Sequence, residues 1–215
     1  MLVEIDDAGL GSPVGGLVIG GRKGINFSHI VIPVTVFQKN EEMEPIKLEV
    51  KRAVKTLLKL LEFDPLKDEI FICQGDIFSH ARSWFDEMDY KYSMGKIRSP
   101  LQDYVETAFD LHLTTLGVPR GLIKSFKDYR DYSFVLFKWA VINKNEREKY
   151  VKTRFKSWRT KWSNAKIKKQ RIKLRRGAIC VNCGEDISKG EEACMYYIFA
   201  GDKVYRVFTH LECCV

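Results

Sequence analysis

The chain has 215 residues, enough for one domain of about 100–150 residues and a smaller module. Its composition, 45% hydrophobic and 12% aromatic, argues for a packed core, and no stretch reaches the ~18 uninterrupted apolar residues of a membrane span. A net charge of +8, no leader-like opening and six cysteines crowded mostly at one end lead us to expect an intracellular, cytoplasmic protein with no membrane partner, whose cysteines bind metal rather than form a secreted disulfide framework.

In chain order, Leu2–Asp7 is an apolar run that stops at two adjacent acids, Asp6 and Asp7. A glycine-rich turn with Gly9, Gly11 and Gly15 follows, and a second run returns over Gly16–Gly20. A third strand is expected over His29–Phe37, where Ile30, Val31, Ile32, Val34 and Val36 dominate, which completes an antiparallel meander. This opening resembles the N-terminal motif of type 2 ribonucleases H, in which a strand ends in Asp-Glu-Ala-Gly and the next begins Gly-Pro-Leu-Val. Ile5, Asp6, Ala8, Gly9, Gly11, Val14, Gly15, Leu17 and Val18 fit it. The resemblance implies that Asp6 is the metal-binding aspartate. Asp7 stands where the family has Glu, and Leu10 where it has an Arg that helps to read the RNA strand. Metal chemistry survives these changes better than substrate choice does.

Lys47–Leu61 places Val50, Val54, Leu57, Leu58 and Leu61 at helical spacing, with Pro65 as a stop. Glu69–Cys73 is a compact apolar run that reads as a buried strand, followed by the turn acid Asp76. Cys73 itself reads as an ordinary buried thiol. Three meander strands, a helix and a further strand follow the order of the ribonuclease H-like fold, in which the fourth strand lies beside the first, so Asp76 is expected next to Asp6. Helices are expected at Ser79–Met88 and Pro100–Leu116; the second carries Asp103, Glu106 and Asp110 together on one face. Ribonuclease H-like enzymes supply a last carboxylate from a helix in this part of the fold; Glu106 is favoured first and Asp103 next, since both lie nearer the helix start, where carboxylates are favoured electrostatically. His29, His80 and His112 have no partner at ligand spacing.

Tyr132–Ile142 is too uniformly apolar to separate helix from strand by period, although the absence of Gly or Pro through Trp158 favours helix. From Lys149 to Arg176 there are thirteen Lys or Arg and no acid, which leaves 23 basic against 28 acidic residues elsewhere. Such an unbalanced run repels itself unless a polyanion or an anionic surface neutralises it. Lys152, Arg154, Lys156, Arg159, Lys161, Lys168, Lys169 and Arg171 are therefore expected to contact nucleic acid. The interleaved Tyr150, Phe155, Trp158 and Trp162 suit either base stacking or the core, and for them the core is favoured. Ser163–Gly177 reads as a charged linker.

Cys180 and Cys183 are separated by 26 residues from His210 and Cys213. Two such short loops close a tetrahedral site suited to structural Zn²⁺. The segment, with β-rich Met195–Ala200 and Val204–Phe208, is similar to treble-clef fingers of the PARP-type and LIM-like kind. Cys194 and Cys214 are uncertain members. About 38 residues hold little core, so metal would supply much of the folding free energy.

The expected fold is thus α/β, an α+β mixed sheet of the ribonuclease H-like three-layer type over residues 1–145, with a basic helical or linker segment at 146–177 and a zinc module at 178–215. Asp6 with Asp7, Asp76, and Glu106 or Asp103 would repel one another unless they shared Mg²⁺ or Mn²⁺, hard cations that take oxygen ligands. The expected function is metal-dependent hydrolysis of a nucleic acid, whether RNA, DNA or hybrid. The alternatives are a catalytically inactive nucleic-acid binder on the same scaffold and a zinc-dependent protein-interaction module.

Overall fold

The alternating apolar runs at the start of the chain build a sheet. In the computed structural model, which describes residues 1–39, 42–126 and 129–215, strand β1 (Leu2–Ala8) pairs antiparallel with β2 (Leu17–Lys23), and β2 with β3 (Asn26–Ile32). β3 ends earlier than the sequence suggests. Pro33 has no N–H for the ladder, and Val34–Lys39 forms a short helix, α1, so that Val34 and Val36 are helical despite their β-branched side chains. Helix α2 (Glu44–Leu60), with Pro45 in its first turn, buries Ile46, Val50, Ala53, Val54, Leu57 and Leu58. These pack with Val3, Ile5, Leu17, Ile19, Ile70 and Ile72 of the sheet. Each large side chain buried there contributes about 1.5–3 kcal/mol relative to exposure.

Strand β4 (Glu69–Cys73) runs parallel to β1, with Ile5 opposite Ile72. A 3₁₀ turn at Asp76–Phe78 leads into α3 (Ser79–Glu87), which adds Ala81 and Phe85 to the same core. Strand β5 (Tyr92–Gly95) then pairs parallel with β4. Its Tyr-Ser-Met-Gly sequence has no apolar alternation, and it was not expected. The sheet order is β3-β2-β1-β4-β5, a mixed parallel and antiparallel sheet, and the fold is α+β. Alternation along β1 points Ile5 towards α2 and Asp6 to the opposite face. Helix α4 (Leu101–Thr115) lies on that opposite face. No helix among the described residues is long and apolar enough to cross a membrane.

The chain divides into two compact units, one of Met1–Leu10 with Gly16–Leu111 and one of Gly11–Gly15 with His112–Val215. This division falls inside α4, and in the second unit α6 packs on β9. The second unit contains α5 (Arg120–Lys124), α6 (Tyr129–Ile142) and α7 (Lys144–Arg147), and a single π-helical turn at Trp158–Trp162. Phe137 of α6 stacks on Trp162 at 5.3 Å between ring centroids and on Trp158 at 6.0 Å. Within this unit the segment 11–15 is held by an isolated bridge from Val14 to Val151 and by hydrogen bonds from Gly15 N–H to the Tyr150 carbonyl and from Lys152 N–H to the Pro13 carbonyl, both 2.9 Å.

The stretch 163–177 is not a linker. Lys166–Lys173 forms β6, an edge strand paired antiparallel with β9 (Glu192–Ala200), which also pairs with β10 (Lys203–His210). Strand pairing overrides the charge of this segment because an edge strand leaves every cation in water. Two-residue strands β7 (Ala178–Ile179) and β8 (Asp186–Ile187) form a separate ribbon.

Candidate metal centres

The parallel pairing of β1 with β4 sets Asp6 and Cys73 side by side at the strand ends. The carboxylates of Asp6 and Asp7 and the Cys73 thiol bring ligand atoms within 4.8 Å of one another. Asp6 is only 8% exposed. Burial raises its pKa and the Glu106 carboxylate raises it further, while the Asp7 N–H and the Cys73 thiol act in the opposite direction. Burial, together with the neighbouring Asp6 and Asp7 carboxylates, pushes the Cys73 thiol up to about 11.

Glu106 comes near Asp6 because of a glycine. Asp6 pairs across the ladder with Gly20, and a Cβ at Gly20 would lie 2.2 Å from Val105 Cγ1. A Cβ at Gly9, which also has a positive φ of 96°, would lie 2.2 Å from the Phe109 ring. Two missing side chains thus seat α4 directly on the strands. Glu106 itself is exposed and accepts a hydrogen bond from Gln102 at 3.0 Å. Asp110, one turn later and half-buried, has its pKa raised by burial and by Glu106.

Three expected ligands stand outside the Asp6, Asp7 and Cys73 cluster. Asp76 is drawn off by α2: Lys47 Nζ is 2.8 Å from its carboxylate and 3.2 Å from Glu44, and Glu44 in turn meets His80 Nε2 at 2.6 Å. Lys47 holds the Asp76 carboxyl below its ordinary range, and the side chain is 78% exposed. At the end of β4 the position beside Asp6 belongs to Cys73 instead. Asp103 and Glu106 are exposed on α4 and neither joins a ligand cluster among the described residues, although Glu106 acts on Asp6 electrostatically. Sequence reasoning passed over Cys73 and Asp110; the register of Glu69–Cys73 beside the first strand pointed to the one, and the helical face shared with Glu106 to the other.

In the second unit Cys180, Cys183, His210 and Cys213 bring their ligand atoms within 4.8 Å of one another. Three sulfurs and an imidazole at this separation can hold a metal such as zinc, which prefers tetrahedral nitrogen and sulfur ligands. His210 Nδ1 is 3.3 Å from Cys183 Sγ, and Nε2 is 3.2 Å from the Asp186 carbonyl, so the outer nitrogen donates and the inner one faces the sulfurs. The first loop turns tightly at Gly184, with φ +80°, where Gly184 N–H bonds the Cys180 carbonyl at 2.8 Å. Burial opposes ionisation of Cys180, but the N–H groups of Cys183, His210 and Asn182 outweigh it and bring the thiol to about 7. Burial and the Cys180 charge push Cys213 up to about 12.

A brace unseen in the sequence joins the two ligand loops. Arg147 donates to the Trp139 carbonyl at 2.7 Å and to Asn182 Oδ1 at 3.0 Å, and Asn182 Nδ2 donates to the Cys213 carbonyl at 2.5 Å. Cys194 and Cys214, with Cα atoms 6.0 Å apart, bond to each other and are not members of the four-ligand group.

The basic run divides by environment. Lys152 is fully buried and cannot reach a ligand in solvent, because the ladder contact with Pro13 carries it into the core. Lys161 is engaged with the Tyr205 hydroxyl at 2.6 Å, and Arg154 is half-buried, with its pKa lowered by burial and by Arg159. Lys156, Arg159, Lys168, Lys169 and Arg171 are exposed. Trp158 and Trp162 are core residues, 2% and 1% exposed. No protein-family model matches the chain, and no curated protein matches it.

Proposed function

We propose that the first unit is a ribonuclease H-like domain that hydrolyses nucleic-acid phosphodiester bonds with a divalent cation bound at Asp6. The observation that carries this reading is the cluster of Asp6, Asp7 and Cys73 ligand atoms at the ends of two neighbouring strands, with Asp6 buried and Glu106 in electrostatic reach. The place of β4 beside β1 supports the same reading, since the resemblance implies a fourth strand next to the first.

Asp6 and Asp7 offer hard oxygens from β1, and Glu106 and Asp110 offer others from α4. Gathering these anions in a half-buried site costs Coulomb energy that a divalent ion offsets. Cys73 tips the preference from Mg²⁺ towards Mn²⁺, because a thiol is a poor partner for the harder ion. A bound ion would supply Lewis acidity and a water activated as nucleophile. Asp6 would orient it from the strand, and Glu106, exposed above, would face the incoming phosphate and hold a proton from the attacking water. The exposed cations Lys156, Arg159, Lys168, Lys169 and Arg171 would neutralise phosphates along the strand. Incubating the full chain with single-stranded, duplex, hybrid and branched substrates in Mn²⁺ or Mg²⁺ tests the reading; products that depend on divalent ion and vanish in Asp6→Asn are expected.

One observation favours a second reading, a nucleic-acid binder without turnover. Cys73 occupies the place beside Asp6 where the resemblance implies an acid, and Asp76 is committed to Lys47. Absence of cleavage with every substrate and ion, together with salt-sensitive binding, would select it.

A further inference from the structure

The three-stranded sheet of the second unit has one covered face and a second that is covered at Ala193 and Met195 but open over the rows of Tyr197 and Phe199. Its ladder sets Lys166, Phe199 and Val204 in one row and Lys168, Tyr197 and Arg206 in the next. Directly paired residues share a face. On the inner face Cys194, Tyr196 and Ile198 are buried, and Tyr205 packs on Trp162 at 4.9 Å. The outer rows are open to solvent: Phe199 is 36% exposed and Tyr197 half-buried, and Lys166, Lys168 and Arg206 are exposed. Here the cations attend the rings, with the Arg206 guanidinium 5.6 Å from the Tyr197 centroid and Lys168 Nζ 5.8 Å from that of Phe199. Gln170 Nε2 contacts the Tyr197 hydroxyl at 3.4 Å. Among the described residues no carboxylate forms an ion pair with Lys166, Lys168 or Arg206.

We propose that this face binds single-stranded nucleic acid, with one base stacked on Tyr197, another on Phe199, and the flanking phosphates held by Lys166, Lys168 and Arg206. Two rings in adjacent rows present flat apolar surface, and three unneutralised cations beside them complement a polyanion. An acidic peptide would satisfy the charge but leave the rings bare. Bases in a duplex are already stacked on each other and cannot use the rings, whereas a single strand can use both. The inference deepens the nucleic-acid reading above and rests on it, but not on turnover.

The test is fluorescence anisotropy of the full chain with labelled oligothymidylate and oligouridylate in buffer without Mg²⁺ or Mn²⁺, so that cleavage does not intervene. Removing both rings in Tyr197→Ala with Phe199→Ala should weaken binding about 10-fold or more per ring. Lys168→Gln with Arg206→Gln should flatten the slope of log affinity against log salt by roughly 0.7 per cation removed. Zinc content and near-UV circular dichroism show whether each variant is folded, and Tyr197→Phe, which keeps a ring, should bind as wild type. No binding by wild type, unchanged affinity in the folded double-alanine variant, or equal affinity for a duplex or for anionic phospholipid vesicles would overturn the proposal. Loss of metal-dependent cleavage with this binding intact would strike the nuclease reading alone.

Discussion

Gly20 stands opposite Asp6 on the β1–β2 ladder, and the missing side chain there is what lets Val105, and with it Glu106, come down onto the strand. The acid pair of the candidate centre is therefore set by a contact in which neither acid takes part. Gly20→Ala forces a methyl group against Val105 and should destabilise the first unit by about 1–3 kcal/mol, read as a lower denaturant midpoint. Mn²⁺ affinity should fall as well. An unchanged midpoint would mean that α4 is not seated by this contact.

Replacing Cys73 with the acid that the resemblance implies should strengthen the centre. Cys73→Asp adds a hard oxygen beside Asp6, so the variant should bind Mg²⁺ more tightly and depend less on Mn²⁺. Calorimetric titration with each ion checks this; equal or weaker Mg²⁺ binding in the folded variant would count against a ligand position at the end of β4.

Asp68 gives the first unit an acid limit. Burial alone would raise its pKa, but the Asp64 N–H at 2.8 Å and the Lys23 ammonium at 2.6 Å outweigh it and hold the carboxyl well below the usual aspartate range. A depressed folded pKa gives stability that is present above the unfolded value near ~3.9 and is lost as pH falls from there towards the folded value. Asp68→Asn should cost about 1–3 kcal/mol at neutral pH and should flatten the acid limb of a stability profile taken downwards from pH 5. A parallel profile would contradict the linkage.

Metal removal should act on the second unit. Binding requires three deprotonated thiols and a neutral imidazole, so metal affinity falls as pH falls; Cys213, pushed up to about 12, gives up a proton to the metal throughout the neutral range, and the decline should steepen below about 7, where Cys180 is protonated as well. Chelation should abolish the near-UV signal of Trp139, Trp158 and Trp162 together with the metal. Asn182→Ala removes the brace between the ligand loops and should lower zinc affinity by about 10-fold or more. Zinc retention identical to wild type in a competition assay would assign Asn182 to folding alone.

Much of this was legible in the residues, for physical reasons that differ from place to place. The strand at Leu2 and the helix ending at Leu60 announced themselves by alternation and by 3.6-residue period, because one face of each is buried. Cys180 and His210 were evident because zinc loops demand short fixed spacings. β6 escaped because an exposed edge strand needs no apolar pattern, and β5 because four residues carry no period. Asp76 misled for another reason. Its neighbour in space, Lys47, comes from the helix before it, and sequence order does not reveal which side chain reaches a turn acid first.

Cleavage by Asp6→Asn in Mn²⁺, set beside wild type on the same labelled substrates, tests divalent-ion catalysis most directly. Wild type should release products that require the ion, and the variant, with near-UV spectrum and zinc content intact, should release at least 100-fold less. Equal cleavage by the two proteins would contradict a metal centre at Asp6.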